Sequence, residues 1–256
     1  MSHPLRTLAR RLVGVRRTAT YYLPWLTRPG LECTLVLHNV EARFKPGYNE
    51  GPFPAAVAQH DTDGRLVQSY AVVVADSTDV IEVPLIPTEA GCGIVTVRGA
   101  RLHSDLYVTL SDGGAYTATH GRGEFVEAYP PWTRALLTAA GVGLALLGRT
   151  LGTFARDQYV YLGAESRSHV LLMNLSNVVN RVRVTPHQNG RRLSSRLVAI
   201  PPMGTHLLDV ASLARAPARG TAVLRLRLEG NAWFNLYLVG AGPRDLLGPL
   251  SLMHVK

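Results

Sequence analysis

The chain has 256 residues, 46% of them hydrophobic and 18% charged. That is enough apolar material for one or two packed domains, and too much for a disordered tail. Two cysteines exclude a disulfide-stapled scaffold or a cysteine-rich zinc framework, and the net charge of +9 describes a basic protein.

The charge is unevenly spread. Residues 1–30 carry +6, 31–126 carry −6, 127–157 carry +1 and 158–256 carry +8. An acidic stretch therefore precedes a strongly basic one, which suggests contact between unlike halves (self-association included) or an acidic external partner such as an anionic membrane surface.

Residues 1–30 hold six arginines and no acid. No apolar run of the length of a secretory h-region follows them, so the expectation is a cytoplasmic start with Cys33 and Cys92 reduced. Ser2 and Pro4 suit a helix start. Leu5, Leu8, Ala9, Leu12 and Val15 then recur on one helical face, with Arg6, Arg10, Arg11 and Arg17 off it and Arg16 on it. A basic amphipathic helix of this kind suits docking to a membrane or partner; the alternative is a helix lying on its own domain.

Residues 31–126 read as six or seven short strands. Leu35-Val36-Leu37-His38-Asn39 is an apolar strand closed by asparagine. The run 57–60 leads into Asp61-Thr62-Asp63-Gly64, a hairpin signal whose glycine supplies a positive φ. A return segment 66–74 follows, then 80–85, a glycine-led strand 93–97 and the aromatic strand Asp105-Leu106-Tyr107-Val108, with His120 near the end.

Tyr129-Pro130-Pro131-Trp132 closes that domain. Residues 135–148 then run without charge between Arg134 and Arg149. As a helix they span about 21 Å, short of the roughly 30 Å hydrocarbon core. The segment is expected to be helical and shielded from water by the sandwiches, by a partner or by lipid. Trp132, Leu136, Leu144 and Leu147 are the residues expected to dock, and Gly148 and Gly152 form a Gly-xxx-Gly pair.

Residues 158–256 repeat the order of the first set: Leu171-Leu172-Met173-Asn174, the hairpin Asn189-Gly190-Arg191, a return run 193–200, then 205–210, a glycine-led strand 220–226, Asn235-Leu236-Tyr237-Leu238 and His254. The offset stays between 126 and 135 residues at Asn39/Asn174, Gly64/Gly190, Tyr107/Tyr237 and His120/His254. A common order of landmarks at near-constant spacing indicates a duplicated β-domain. Two-residue turns are expected at both hairpins. Through Asn174-Leu175-Ser176-Asn177, Asn189-Gly190-Arg191 and Ile200-Pro201-Pro202-Met203-Gly204-Thr205, the second copy resembles the immunoglobulin-like sandwich repeats of bacterial proteins over roughly 80 residues. The resemblance implies architecture and brings no catalytic residue. The Cys–Trp–Cys immunoglobulin core is unmatched, since no tryptophan lies between Cys33 and Cys92.

The expected fold is therefore mainly β: tandem immunoglobulin-like sandwiches at 31–126 and 158–256, each preceded by a short helix, with a basic segment at 1–30 and a linker at 127–157. Chemical motifs are sparse. Gly141-Val142-Gly143 with Gly148 lacks the dinucleotide spacing and a leading strand. Asp61-Thr62-Asp63-Gly64 lacks the remaining oxygen ligands of a calcium loop. His103, Ser104 and Asp105 are adjacent and cannot converge as a triad. The matched histidines His60/His187 and His120/His254 leave His120 and His254 as the candidate metal ligands, two short of a zinc site, and no cofactor is expected. The functional expectation is a non-enzymatic scaffold or accessory subunit at the cytoplasmic side of a membrane, bound to other subunits or to anionic lipid; nucleic acid is disfavoured. The alternatives are a glycan- or small-ligand-binding module, and an enzyme built from scattered histidines.

Overall fold

A computed structural model describes residues 16–39, 41–44, 52–74, 80–85, 91–99, 106–163, 167–214, 217, 219–241 and 251–254. The first repeat comprises β1 (Arg16–Thr27), β2 (Glu32–His38), a helical turn α1 (Glu41–Phe44), β3 (Phe53–His60), β4 (Leu66–Val74), β5 (Val80–Pro84), β6 (Gly91–Arg98), β7 (Leu106–Ser111), β8 (Tyr116–His120) and β9 (Arg122–Ala128). Helix α2 (Pro131–Leu146) follows. The second repeat comprises β10 (Phe154–Gly163), β11 (Arg167–Asn174), β12 (Asn180–Gln188), β13 (Arg191–Arg192), β14 (Arg196–Ile200), β15 (Thr205–Asp209), β16 (Thr221–Gly230), β17 (Phe234–Ala241) and β18 (Ser251–His254).

The strands form four antiparallel sheets. Sheet I has the order β4-β3-β6-β1-β9 and sheet II β5-β2-β7-β8; sheet III is β10-β16-β12-β13 with β14 also on β12, and sheet IV is β15-β11-β17-β18. The duplication is visible in the pairing itself. β1 joins β6 as β10 joins β16. β2 lies between β5 and β7 as β11 lies between β15 and β17. β3 lies between β4 and β6 as β12 lies between β14 and β16. Tyr107 stands opposite His120 on β7 and β8, and Tyr237 opposite His254 on β17 and β18. Among the described residues β9 has no counterpart; it leaves β8 at Gly121 and crosses from sheet II to sheet I.

Two boundaries differ from the sequence reading. Arg6, Arg10 and Arg11 lie outside the described residues. Arg17, expected on a helix, is in β1 opposite Glu127, so residues 16–27 belong to the first sandwich rather than to an appended basic segment. The pattern Thr20-Tyr21-Tyr22-Leu23 is rich in residues that favour strands, and β1 completes sheet I between β6 and β9. The second boundary also moves: β10 begins at Phe154, inside the expected linker.

The core of the second repeat lies between sheets III and IV, from Val182, Val184, Leu224, Leu226 and Leu228 against Val170, Leu172 and Leu236. Along β12 and β16 of sheet III these residues alternate with polar ones, the pattern of a sheet with one face inward. Sheet IV is different: it is buried on both faces. Leu171, Met173, Tyr237 and Val239 point away from sheet III and share a single apolar core with Tyr22, Leu23, Leu35, Ile94 and Val97 of the first repeat. The two sandwiches are therefore fused through side chains that a free sandwich would expose.

Two turns lock this contact. In the first repeat the loop is longer than the expected two residues: Asp61 N donates to Arg65 O at 2.9 Å, Gly64 N to Asp61 O at 3.0 Å, and the register slips between Gln59 and His60. Asp61 Oδ1 accepts from Arg65 N at 2.8 Å, which favours this wider loop. Gly64, at φ 78°, presses against the turn Pro201-Pro202-Met203-Gly204; a Cβ there would stand 1.9 Å from Pro202 O. Thr205 N donates to Thr62 O at 3.0 Å. Thr62 Oγ1 donates to Cys92 O at 2.7 Å, and Cys92 Sγ lies 3.3 Å from Thr205 Oγ1. Met203 takes a positive φ of 57°, a place usually left to glycine or asparagine, while its side chain packs against the shared core. The matching hairpin of the second repeat keeps the two-residue form, with Asn189 at φ 52° and Gly190 at φ 75°, and it projects freely.

Candidate functional site

Helix α2 is the most unusual surface of the molecule. Pro131 starts it, where a missing N–H costs nothing. Gly148 ends it at φ 65°, with Gly148 N on Ala145 O and Arg149 N on Leu144 O. Gly148 and Gly152 therefore lie beyond the helix and form no helix-packing pair, a correction to the sequence reading: Gly148 is a terminator because it is free to take the left-handed conformation.

The helix is held rigidly at both ends. Asn177 exchanges two hydrogen bonds with Tyr129 (2.8 and 2.9 Å), and Asn231 Oδ1 accepts from Leu151 N at 2.9 Å. One face touches the second repeat through Thr133, Leu137 and Gly141, each four residues apart. Gly141 permits the approach, since a Cβ there would stand 2.8 Å from Asn231 Nδ2 and 3.2 Å from Arg181 Nη1.

Most of the rest of α2 faces outward. Trp132 is 55% exposed, Leu136 62%, Leu147 71% and Leu146 84%, while Leu144 is half-buried. Of the three shields expected for this segment, the sandwiches supply only the face at Thr133, Leu137 and Gly141. The rest of the helix is largely apolar. Such a helix is ordinarily buried in a core or in lipid. The chain from 128 to 156 contains no acid; Arg134 lies in the first turn of the helix and Arg149 three residues beyond its end. Among the described residues no helix is long and apolar enough to cross a membrane.

A second surface is the outer face of sheet III. Along β16, Leu224, Leu226 and Leu228 point inward, so Arg225, Arg227 and Glu229 point outward. With Asp157, Arg183, Thr185, His187 and Arg192 they line an open depression of about 280 Å³. Arg227 Nη1 donates to Asp157 Oδ2 at 2.7 Å, and Arg183 pairs with Glu229. The equivalent sheet in the first repeat is buried on both faces of β1 and β6. Sequence reasoning missed this face, although the alternation Arg225-Leu226-Arg227-Leu228-Glu229 carries the signal.

His120 is exposed at the end of β8, and His254 occupies the matching position of β18, its side chain lying outside the described residues; in β18, Leu252 N donates to Thr117 Oγ1 at 3.2 Å. Among the described residues no three His, Cys, Asp or Glu side chains come together. Burial holds His60 and His206 below the usual histidine range, and for His206 the nearby Arg196 adds to the effect. Trp25 spreads over Gly93 and donates to His60 O at 2.7 Å, so His60 serves the first core through its backbone.

No protein-family model matches this chain, and no curated protein matches it. Among solved structures, a glycosyl hydrolase family 2 member from Bacteroides cellulosilyticus DSM 14838 aligns over 92% of this chain at 11% identity, with a TM-score of 0.17. The chain spans 28% of that protein's length, and a likeness of this degree carries no argument about fold or activity.

Proposed function

We propose that the protein is a non-enzymatic scaffold or accessory subunit that lies peripherally on an anionic membrane, with α2 as an in-plane anchor. The observation that carries this reading is the exposed apolar surface of Trp132, Leu136, Leu146 and Leu147 on and just after an acid-free helix with an arginine near each end. An apolar helix supplies burial and the arginines supply attraction to anionic headgroups, the two signals that stable peripheral binding needs. Each repeat fits the immunoglobulin-like pattern: with β1, β2, β3, β6, β7 and β8 taken as strands B to G, the neighbours are B–E–D and C–F–G, and β4 and β5 are added at the edges. Two sandwiches sharing one core give a stiff body rather than a flexible pair, which suits a spacer between a membrane and other subunits.

The test is flotation of the purified chain with vesicles of phosphatidylcholine alone or with phosphatidylglycerol. Anionic vesicles are expected to carry the protein upward. L146D forfeits about 2 kcal/mol of burial, roughly a thirty-fold loss of partitioning. Equal flotation of wild type and L146D, or none with either lipid, refutes the anchor.

A further inference from the structure

On the outer face of sheet III the register sets four side chains in one row across the strands. Tyr159 stands opposite Arg225, Arg225 opposite His187, and His187 opposite Arg192. The nearby carboxylates are shared. Glu229 pairs with Arg183 and Asp157 Oδ2 with Arg227 Nη1, while Asp157 Oδ1 makes a longer ion pair with Arg225 Nε at 3.7 Å, so Asp157 divides one charge between two guanidinium groups. Among the described residues Arg192 reaches the Ser195 hydroxyl, at 3.4 Å, and His187 Nδ1 is buried without a hydrogen-bond partner.

The duplication supplies a control within the same molecule. The matching row of the first repeat is Pro24, Ile94, His60 and Leu66. The histidine is common to both, and the two arginines occur only in the copy whose outer face is open. Solubility of an exposed face calls for mixed charge, which the row of Asp157 and Arg227 already shows; it does not call for an arginine on either side of a histidine.

We propose that the row Arg225–His187–Arg192 is a binding site for a tetrahedral oxyanion, the phosphate or sulfate group of a ligand. Two guanidinium groups present donors of the right charge to the depression of about 280 Å³, with an imidazole between them, and the exposed Tyr159 at the end of the row offers a flat apolar surface to whatever carries the anion. The site does not depend on α2 or on the membrane reading.

The experiment is an NMR titration of the full chain with inorganic phosphate and then sulfate at constant ionic strength, following the His187 imidazole and the arginine Nε resonances. Saturable shifts are expected. R225A and R192A should each weaken binding about ten-fold, and R43A, on the first repeat, should leave it unchanged. Arg192 lies at an exposed strand end, so R192A keeps the test open if R225A fails to fold. Shifts that never saturate, or equal affinity in R192A and R43A, overturn the proposal. Flotation with phosphatidylglycerol vesicles then separates two sources of the anion. Loss of capture in R192A, with competition by free phosphate, assigns a lipid headgroup. Phosphate binding with unchanged capture assigns a soluble phosphorylated or sulfated ligand. L146D should lose flotation yet keep phosphate binding, so failure of the anchor and failure of this site are distinguishable.

Discussion

Substituting alanine at the two hairpin glycines separates the cost of a turn from the cost of the contact between repeats. Gly190 stands at φ 75° with nothing within 4 Å of the place a methyl group would take, so G190A bears only the left-handed backbone penalty of about 1 kcal/mol. Gly64 has nearly the same φ, 78°, and bears the same penalty. Its Cβ, however, would stand 1.9 Å from Pro202 O, with Gly204 N and Met203 C at 3.0 Å. All three are backbone atoms, so the hairpin must retreat by more than 1 Å to reach ordinary van der Waals separation of about 3.5 Å. That movement breaks the bond from Thr205 N to Thr62 O, worth about 1 kcal/mol, and loosens the packing of Met203 on the shared core. The expected loss for G64A is about 3 kcal/mol, against about 1 for G190A. Urea unfolding of both variants measures the difference, and G64A should also lower the cooperativity of the transition as the repeats begin to unfold separately. Equal destabilisation by the two substitutions would refute the claim that the Gly64 hairpin joins the repeats.

Two further predictions concern titratable groups. Burial pushes the Cys33 thiol up to about 12, so a thiol reagent at pH 8 should label it on the order of a thousand-fold more slowly in the folded chain than in urea; rapid labelling of the native protein would contradict its place in the core. His60 and His206 bind protons less readily folded than unfolded, so their contribution to stability is complete above pH 6.5 and is lost as the pH falls towards their lowered values. The urea midpoint should therefore drop between pH 7.5 and 5.5, and H206Q should flatten that slope; an unchanged slope would place His206 in water.

Local physics was legible in the chain alone. Alternation along 223–229, the asparagines closing Asn39 and Asn174, and the Asp-Gly and Asn-Gly turns are short-range signals, and they locate two copies of one β-unit without any knowledge of pairing. Asn174 illustrates why such a residue stays put: its side chain is buried and bonds to Val178 O, Ile200 O and Pro201 O, so strand end and turn are specified together. What lay beyond the sequence depends on which segments meet. Residues 16–27 look like the tail of a basic helix until β6 and β9 pair with them on both sides. The uncharged run at 135–148 has the composition of a shielded segment, and only its contact with the second sandwich through Leu137 and Gly141 shows that most of it faces outward. Asp61-Thr62-Asp63-Gly64 and Pro201-Pro202-Met203-Gly204 read as two unrelated turns, yet the close approach of Gly64 to Pro202 makes them one joint. The row of Arg225, His187 and Arg192 joins residues up to 38 positions apart, because a sheet sets its neighbours by register across strands and not by distance along the chain.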